Sequence, residues 1–253
     1  NQSKVSMKIS ATIITLNEER NIARCIDSLV HIADEVLVMD SGSTDLTEEI
    51  CLQKGVKFFH QPWLGYAQQK NCLNQKASFD MILSVDADEE ISPALVEELR
   101  WIKQNHTNGV YALNRLTNYC GTWIYHSGWY PDVKIRLFPK EIQWQGDLVH
   151  ETLNLKPDTD VVRLKGHLFH YSYYSHVQHR QRADHYSTLT AQKYVQAGKG
   201  VFLGQPFFSA CIRFLSMYIF KLGFLDGRNG WRIARISAYA TYLKYKKLKD
   251  YWQ

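Results

Sequence analysis

The sequence predicts an α/β fold: a mostly parallel, doubly wound sheet flanked by helices, with a helical extension at the C-terminal end. Three observations carry that prediction. Strand and helix signals alternate from residue 8 to about residue 105, as repeated crossover units require. Polar clusters fall at the ends of three of those strands, and the charge balance changes sharply near residue 205. At 253 residues and 45% hydrophobic, the chain can bury a sizeable core.

The elements follow in order. Ile9 to Leu16 is rich in β-branched residues and reads as a strand; Ile22, Cys25, Ile26 and Leu29 then recur at helical spacing. Val36–Met39 is a short strand ending at Asp40-Ser41-Gly42-Ser43, and Asp45 with Glu48 three residues on opens a helix that Gly55 stops. Val56 to His60 is a third strand, Ala67 to Ala77 a helix and Met81 to Val85 a fourth strand. Ser92-Pro93 caps a helix running to about Gln104, and the plain alternative for the acids before it is a solvated turn in which Glu89 and Glu90 favour the helix amino end. From Gly109 the pattern changes. Strands are predicted at Val110–Leu116, Ile135–Phe138, Leu148–Leu155 and Val161–Leu168, with an aromatic-rich loop from Tyr119 to Tyr130, and a polar helix spans Ser175 to Ala197.

Residues 7–204 are read as one domain with halves 7–108 and 109–204, and residues 205–253 as a basic amphipathic helical segment. From Gln205 onward there are nine Lys/Arg and two acids, a balance of +7, leaving 21 basic and 23 acidic side chains, or −2, before it. Phe207, Phe208, Cys211, Ile212, Leu215, Tyr218, Ile219 and Leu222 form one wide apolar helical face, interrupted by Arg213 and Lys221. A cationic amphipathic helix of this kind suits an anionic membrane surface as well as it suits packing on the domain. No apolar run reaches the roughly 18 residues of a spanning helix, no secretory signal pattern opens the chain, and residues 1–6 are set aside. No recognition motif supports a nucleic-acid partner. Five cysteines with no C-x-x-C pair imply reduced thiols, hence a cytoplasmic protein.

The chemistry concentrates at strand ends. Met81–Val85 runs directly into Asp86-Ala87-Asp88-Glu89-Glu90, so an Asp-x-Asp pair is presented at the rim of a sheet. Hard oxygen ligands in that position suit Mg²⁺ or Mn²⁺ bridging to a phosphate-bearing substrate. Thr15 to Glu19 and Asp40 to Asp45 end two other strands and can converge on the same ligand, which in an open α/β sheet binds outside the carboxyl ends. Neither G-x-G-x-x-G nor a P-loop is present, which excludes those modes of holding phosphate. An aspartyl-phosphate phosphatase would carry its Asp-x-Asp on the first strand.

Thr15-Leu16-Asn17-Glu18-Glu19, Asp40-Ser41-Gly42-Ser43-Thr44-Asp45, Lys70-Asn71 and Asp86-Ala87-Asp88-Glu89, in that order, resemble the family 2 inverting glycosyltransferases of the GT-A fold. Arg136-Leu137-Phe138, Gly146-Asp147-Leu148-Val149-His150-Glu151, His170-Tyr171 and Lys221-Leu222-Gly223-Phe224-Leu225-Asp226-Gly227 resemble the branch of lipopolysaccharide-core β-1,4-glucosyltransferases. The resemblance implies a GT-A, Rossmann-like sheet and transfer of a hexose, glucose in that branch, from a UDP-sugar such as UDP-glucose. The implied acceptor is a lipopolysaccharide-core or other lipid-linked saccharide, at the inner face of the bacterial cytoplasmic membrane.

Residue by residue, it implies that Thr15, Asn17, Glu19, Asp40 and Ser41 hold the uridine, with Lys70 near the base or diphosphate and Asp86 near the ribose or metal. Asp88 is the implied ligand of Mg²⁺ or Mn²⁺, with Asp86 as companion and His170 as a further ligand. Leu16 stands where the family often has an aromatic residue. Ser41 replaces a second acid that commonly meets the uracil edge. An inverting transfer needs a base on the acceptor side; Glu151 of the His150-Glu151 pair is the candidate, with Glu89 or Glu90 as alternatives. Arg136 and His150 are expected to contact diphosphate or acceptor, and Trp129, with Trp123 and Tyr130, to stack on sugar faces. Two other readings remain: a sugar-nucleotidyltransferase, which lacks its Gly-rich basic phosphate loop here, and a non-catalytic nucleotide-sugar or carbohydrate-binding module.

Overall fold

The computed structural model describes residues 7–105, 108–146 and 151–251. Packing divides these into two units. The first holds the residues up to Arg115 together with Asp132–His170; the second holds Leu116–Pro131 and the residues from Tyr171 onward.

In the first unit β1 (Ile9–Thr15), α1 (Ile22–Leu29), β2 (Glu35–Asp40), α2 (Thr47–Gln53), β3 (Lys57–His60), α3 (Tyr66–Gln75) and β4 (Met81–Asp86) alternate as the sequence predicts. They are followed along the chain by β5 (Glu89–Ile91), α4 (Pro93–Asn105), β6 (Val110–Tyr119), β7 (Thr122–Ile124), β8 (Asp132–Pro139), β9 (Trp144–Gln145), β10 (Thr152–Leu153) and β11 (Val161–Tyr173), of which β7 and the C-terminal ends of β6 and β11 belong to the second unit. The main sheet has the order β3-β2-β1-β4-β8-β6-β11-β5, with β7 paired to β6, while β9 and β10 form a small antiparallel pair. β1 runs parallel to both β2 and β4, with Thr15 opposite Asp40 and Ile14 opposite Asp86. This register sets three polar strand ends side by side where the strand order reverses. β1 and β4 are buried almost throughout, as interior parallel strands covered on both faces must be. The helices lay their apolar stripes on that core: Ile22, Cys25, Ile26 and Leu29 of α1, and Leu95, Leu99 and Ile102 of α4. Gly166 of β11 faces the first turn of α4, where a Cβ would lie 2.6 Å from the Leu95 nitrogen, so only glycine fits.

Several expectations are corrected. Glu89 and Glu90 do not open a helix: they belong to β5, which pairs antiparallel with β11 and sets His170 opposite Glu89. The helix begins after Ser92, whose hydroxyl accepts from the Leu95 N–H at 3.2 Å. Asp45 is not the helix cap; Leu46 is, while the Asp45 carboxylate accepts from the Thr47 hydroxyl and from the Glu19 N–H across the gap between loops. Of the predicted strand Leu148–Leu155, Thr152–Leu153 form β10, while residues 147–150 lie outside the described residues.

In the second unit α5 (His176–Gln196), capped by Ser175, and α6 (Gln205–Leu215) both pack on α7 (Gly227–Tyr251). A π-helical turn at Ser216–Phe220 and a 3-10 turn at Gly223–Asp226 join α6 to α7, which starts at Gly227. Its core gathers Tyr119, Ile124, Met217, Ile233 and Ala234. The buried Asp226 carboxylate accepts from the Tyr125 and His126 N–H groups at 3.1 and 3.2 Å and from the Ser127 hydroxyl at 2.9 Å, and it pairs with the His126 ring. The tail motif therefore fixes the aromatic loop between β7 and β8. No single described helix is long and apolar enough to cross a membrane.

One pH-dependent prediction concerns the amino end of β2. Burial works against ionising Glu35, but hydrogen bonds from Lys57, Ser10 and Ser78 outweigh it and bring the carboxyl from 4.5 down to about 2. The stability this contributes is full above the unfolded value and is lost as pH falls from about 4.5 toward 2. Glu35→Gln is expected to cost about 1–2 kcal/mol at pH 7. Urea midpoints of the two proteins should then converge as the solution is acidified; a constant gap would refute the assignment.

Candidate active site

The loops after β1 and β2 are clasped to each other. Asn17, in the left-handed region at φ 54°, accepts from the Thr44 N–H at 2.8 Å, and its own N–H donates to the Ser43 hydroxyl at 2.7 Å. Glu19 accepts from the Leu46 N–H at 3.0 Å. Asp40 accepts from the N–H groups of Gly42 and Ser43, both at 2.8 Å, and from the Ser43 hydroxyl. Asn17, Glu19 and Asp40 thus build the loop walls with their side chains. Ser41 is held by the buried Gln69 amide, which donates to its hydroxyl at 3.1 Å. The Thr15 hydroxyl, by contrast, is buried with no hydrogen-bond partner among the described residues.

Below the end of β4 lies a network of buried charge. Lys70, on α3, bridges Asp86 and Glu151 at 3.1 Å each, with its ammonium 4.6 Å from the centre of the Trp144 ring. Arg136, on β8, meets Asp86 at 2.5 Å and Glu89 at 2.6 Å. Arg115, on β6, reaches Glu89 at 3.3 Å and Asp132 at 2.6 Å. Burial works against the Asp86 carboxylate, yet Arg136 and Lys70 hold it well below the ordinary range. Burial likewise disfavours the Arg136 charge, and Asp86 and Glu89 more than restore it. Cations buried this deeply are tolerable only because each is paired and hydrogen-bonded.

Asp88 stands apart from that network. Its carboxylate is 3.2 Å from the His170 ring nitrogen, brought there by the pairing of β5 with β11. The carboxylate oxygen suits Mg²⁺ or Mn²⁺, ions that complete their coordination with water and substrate phosphate, and the imidazole nitrogen beside it suits Mn²⁺ better than the harder Mg²⁺. Asp86 fits less well, since Lys70 and Arg136 take its two oxygens. Among the described residues no third His, Cys, Asp or Glu completes a protein-only metal cage.

A cavity of about 610 Å³ opens beside this network, lined by Asp86, Arg115, Arg136, Trp144, Glu151 and Leu153 among others. Two of its lining residues carry buried N–H groups without a partner among the described residues, Arg136 Nε and Trp144 Nε1. The structure therefore brings Lys70, Asp86, Arg136 and Glu151 together and sets Asp88 with His170. Trp129 lies in the second unit, stacked on Tyr173 at 5.7 Å and edge-on to Tyr119 at 5.6 Å. His150 lies outside the described residues. Gln69, Arg115 and Trp144 escaped the sequence reading. Arg115 and Trp144 carry no motif, and Gln69 is legible only as the neighbour of Lys70.

Residues 10–160 match the model of glycosyl transferase family 2. An uncharacterized glycosyltransferase of Rickettsia typhi is 32% identical over 254 residues, covering 96% of this chain and 87% of its own length. The lipopolysaccharide core biosynthesis glycosyltransferase LpsC of Rhizobium meliloti is 40% identical over 98 residues, 37% of this chain and 36% of LpsC. Among solved structures, glucosyl-3-phosphoglycerate synthase of Mycobacterium tuberculosis, in complex with Mn²⁺, UDP and glucosyl-3-phosphoglycerate, aligns at 25% identity over 44% of each chain with a TM-score of 0.37. The chain belongs to glycosyl transferase family 2. It is a glycosyltransferase, and its α/β sheet is of the GT-A type.

The charge network makes a direct prediction. Arg136→Met leaves Asp86 and Glu89 without their shared guanidinium and is expected to destabilise the fold by about 3–5 kcal/mol, as breaking one side of a buried pair does. Chemical denaturation measures this, and a loss under about 1 kcal/mol would show that Arg136 behaves as a surface pair instead.

Proposed function

We propose that this glycosyltransferase moves a hexose, glucose by preference, from a UDP-sugar to a hydroxyl of a lipopolysaccharide-core or other lipid-linked saccharide, with inversion at the anomeric carbon. The observation that carries the reading is the arrangement at the end of β4: Asp86 and Glu151 line one cavity and are joined by Lys70, and Asp88, two residues after Asp86, pairs with His170. The LpsC likeness supports the acceptor class. The reduced cysteines and a nucleotide-sugar donor support reaction at the cytoplasmic face of the inner membrane.

In this reading the Thr15 hydroxyl and the clasped loops receive the nucleoside. Asp88 and His170 would hold the Mg²⁺ or Mn²⁺ ion, which when bound neutralises charge on the leaving diphosphate. Glu151 takes the proton of the acceptor hydroxyl as that oxygen bonds to the anomeric carbon and the bond to the diphosphate breaks. Lys70 keeps Glu151 and Asp86 in place, and the orphan N–H groups of Arg136 and Trp144 donate to ligand oxygens in the cavity.

Two measurements test this. UDP with Mn²⁺ should raise the melting temperature, a ligand at about 100 times its Kd adding about 2.7 kcal/mol; Asp88→Ala should remove the metal-dependent part while leaving the unliganded melt unchanged. Glu151→Gln should lower transfer by about 10²–10⁴-fold while UDP stabilisation persists. Full transfer by that variant would place the base elsewhere, and a product of retained anomeric configuration would refute inversion.

A further inference from the structure

The second unit carries a surface that the transfer chemistry does not use. None of the eleven residues of α6 is buried, and its outward apolar residues continue through the π-helical turn. Ile212 is 67% exposed and Phe220 80%, while Leu203, just before the helix, is 93% exposed. Phe207, Phe208 and Leu215 extend the same exposed set along α6, and Phe224 and Leu225 add to it in the 3-10 turn. An apolar area of this extent is not left in water without a partner.

Next to it in sequence lies a cationic cavity. Arg228, Arg232 and Arg235 stand at i, i+4 and i+7 on α7 and line a cavity of about 580 Å³ together with Tyr218, Phe224 and Trp231. Arg232 is anchored from behind, donating to the His176 ring at 2.6 Å and to Asn229 at 3.3 Å. Arg228 and Arg235 are exposed. Trp231 is held edge-on against Phe214 at 5.0 Å and Tyr218 at 5.4 Å, which makes one wall of the cavity a fixed aromatic surface. Guanidinium groups meet phosphate oxygens in pairs, so three of them on one helix face form a site for a phosphate monoester or diester. Between residues 200 and 235 the only acid is Asp226, and its carboxylate is occupied by Tyr125, His126 and Ser127.

We infer that the second unit docks on an anionic phospholipid bilayer: the Arg228–Arg232–Arg235 cavity takes a lipid phosphate, and the exposed face of α6 enters the acyl boundary. Charge complementarity and the juxtaposition of the two features carry the choice of occupant. A nucleic acid would match the arginines but not the aliphatic face, and a free sugar phosphate would leave that face in water. Interfacial helices are built in this way, with apolar residues on one side, cations at headgroup depth and Trp at the boundary.

The test uses the full chain with vesicles of phosphatidylcholine alone or with about 30% phosphatidylglycerol, read by co-sedimentation at low and high salt. Wild type should bind the anionic vesicles at least about tenfold more tightly than the neutral ones, and salt should narrow the gap. Arg228→Ser/Arg235→Ser should abolish that preference. Phe207→Ser/Ile212→Ser should weaken binding to both vesicle types by about tenfold or more. All four positions are exposed, and an unchanged far-ultraviolet spectrum and melt confirm folding. The inference is overturned if anionic vesicles are not preferred, if either variant binds as wild type does, or if millimolar inorganic phosphate displaces the protein fully. It is equally overturned if light scattering shows a dimer that the Phe207→Ser/Ile212→Ser variant loses, since the face then belongs to a second copy of the chain.

Discussion

Two cations buried beneath the carboxyl ends of the sheet constrain everything around them. Lys70 and Arg136 are both about 3% exposed, and neither could remain charged there without acids in contact. Asp86 serves both, Glu151 completes Lys70, and Glu89 completes Arg136 and then Arg115. One demand of electrostatics thus ties α3, β4, β5, β6 and β8 to one point and fixes Glu151 relative to the strand ends. It also explains why β5 is a strand despite its acidic sequence. Glu89 points inward to two guanidinium groups and Ile91 into the core, while the intervening Glu90 stays half-buried beside Arg24.

The polar loops answer a second demand, that buried or crowded backbone N–H groups find acceptors. The side chains of Asn17, Glu19, Asp40 and Asp45 each accept from a backbone N–H, and three of these four bonds run between the β1 and β2 loops. Their contribution to the site is shape. Once they are placed, the buried side-chain groups without partners among the described residues are Thr15 Oγ1, Asn74 Nδ2, Arg136 Nε and Trp144 Nε1, of which the last two belong to residues lining the cavity. A pocket that is rigid before its ligand arrives loses less entropy in binding it.

Much of this was legible in the sequence, and what was missed has a physical cause. β1 to β4 and their helices were readable because a parallel sheet covered on both faces forces continuous apolar strands and 3.6-residue stripes. The Asp86–Asp88 turn was readable because an apolar strand breaking into acids is a rare pattern. The fate of each acid was not. Whether a carboxylate faces a metal, a guanidinium or its own loop depends on partners far along the chain, such as Arg136 for Asp86, 50 residues away, or Lys70 for Glu151, 81 residues away. The short strands β5, β7 and β9 are not legible for the same reason: two or three residues carry no period, and only their partner strands define them. The tail motif showed its identity but not its purpose, since Asp226 works on a loop 100 residues earlier.

That distinction between acids bears on which of them can serve as base in the proposed transfer. A general base must lose a partner, accept a proton and release it again within each turnover. Glu89 cannot do this. Its Oε1 lies between Arg136 and Arg115, its Oε2 accepts the Asp86 N–H at 3.0 Å, and its side chain is fully buried. Protonating it would strip two buried guanidinium groups of their counter-charge. Glu90 faces Arg24 at 3.6 Å on the far edge of β5, away from the cavity wall. Glu151 differs on each count. It lines the cavity, its side chain is 23% exposed, and the cation it holds, Lys70, is shared with Asp86. When Glu151 takes a proton, Lys70 keeps Asp86 as its partner and no buried charge is left alone. The same bridge that positions Glu151 therefore lets its charge change through the cycle without disturbing the fold beneath it.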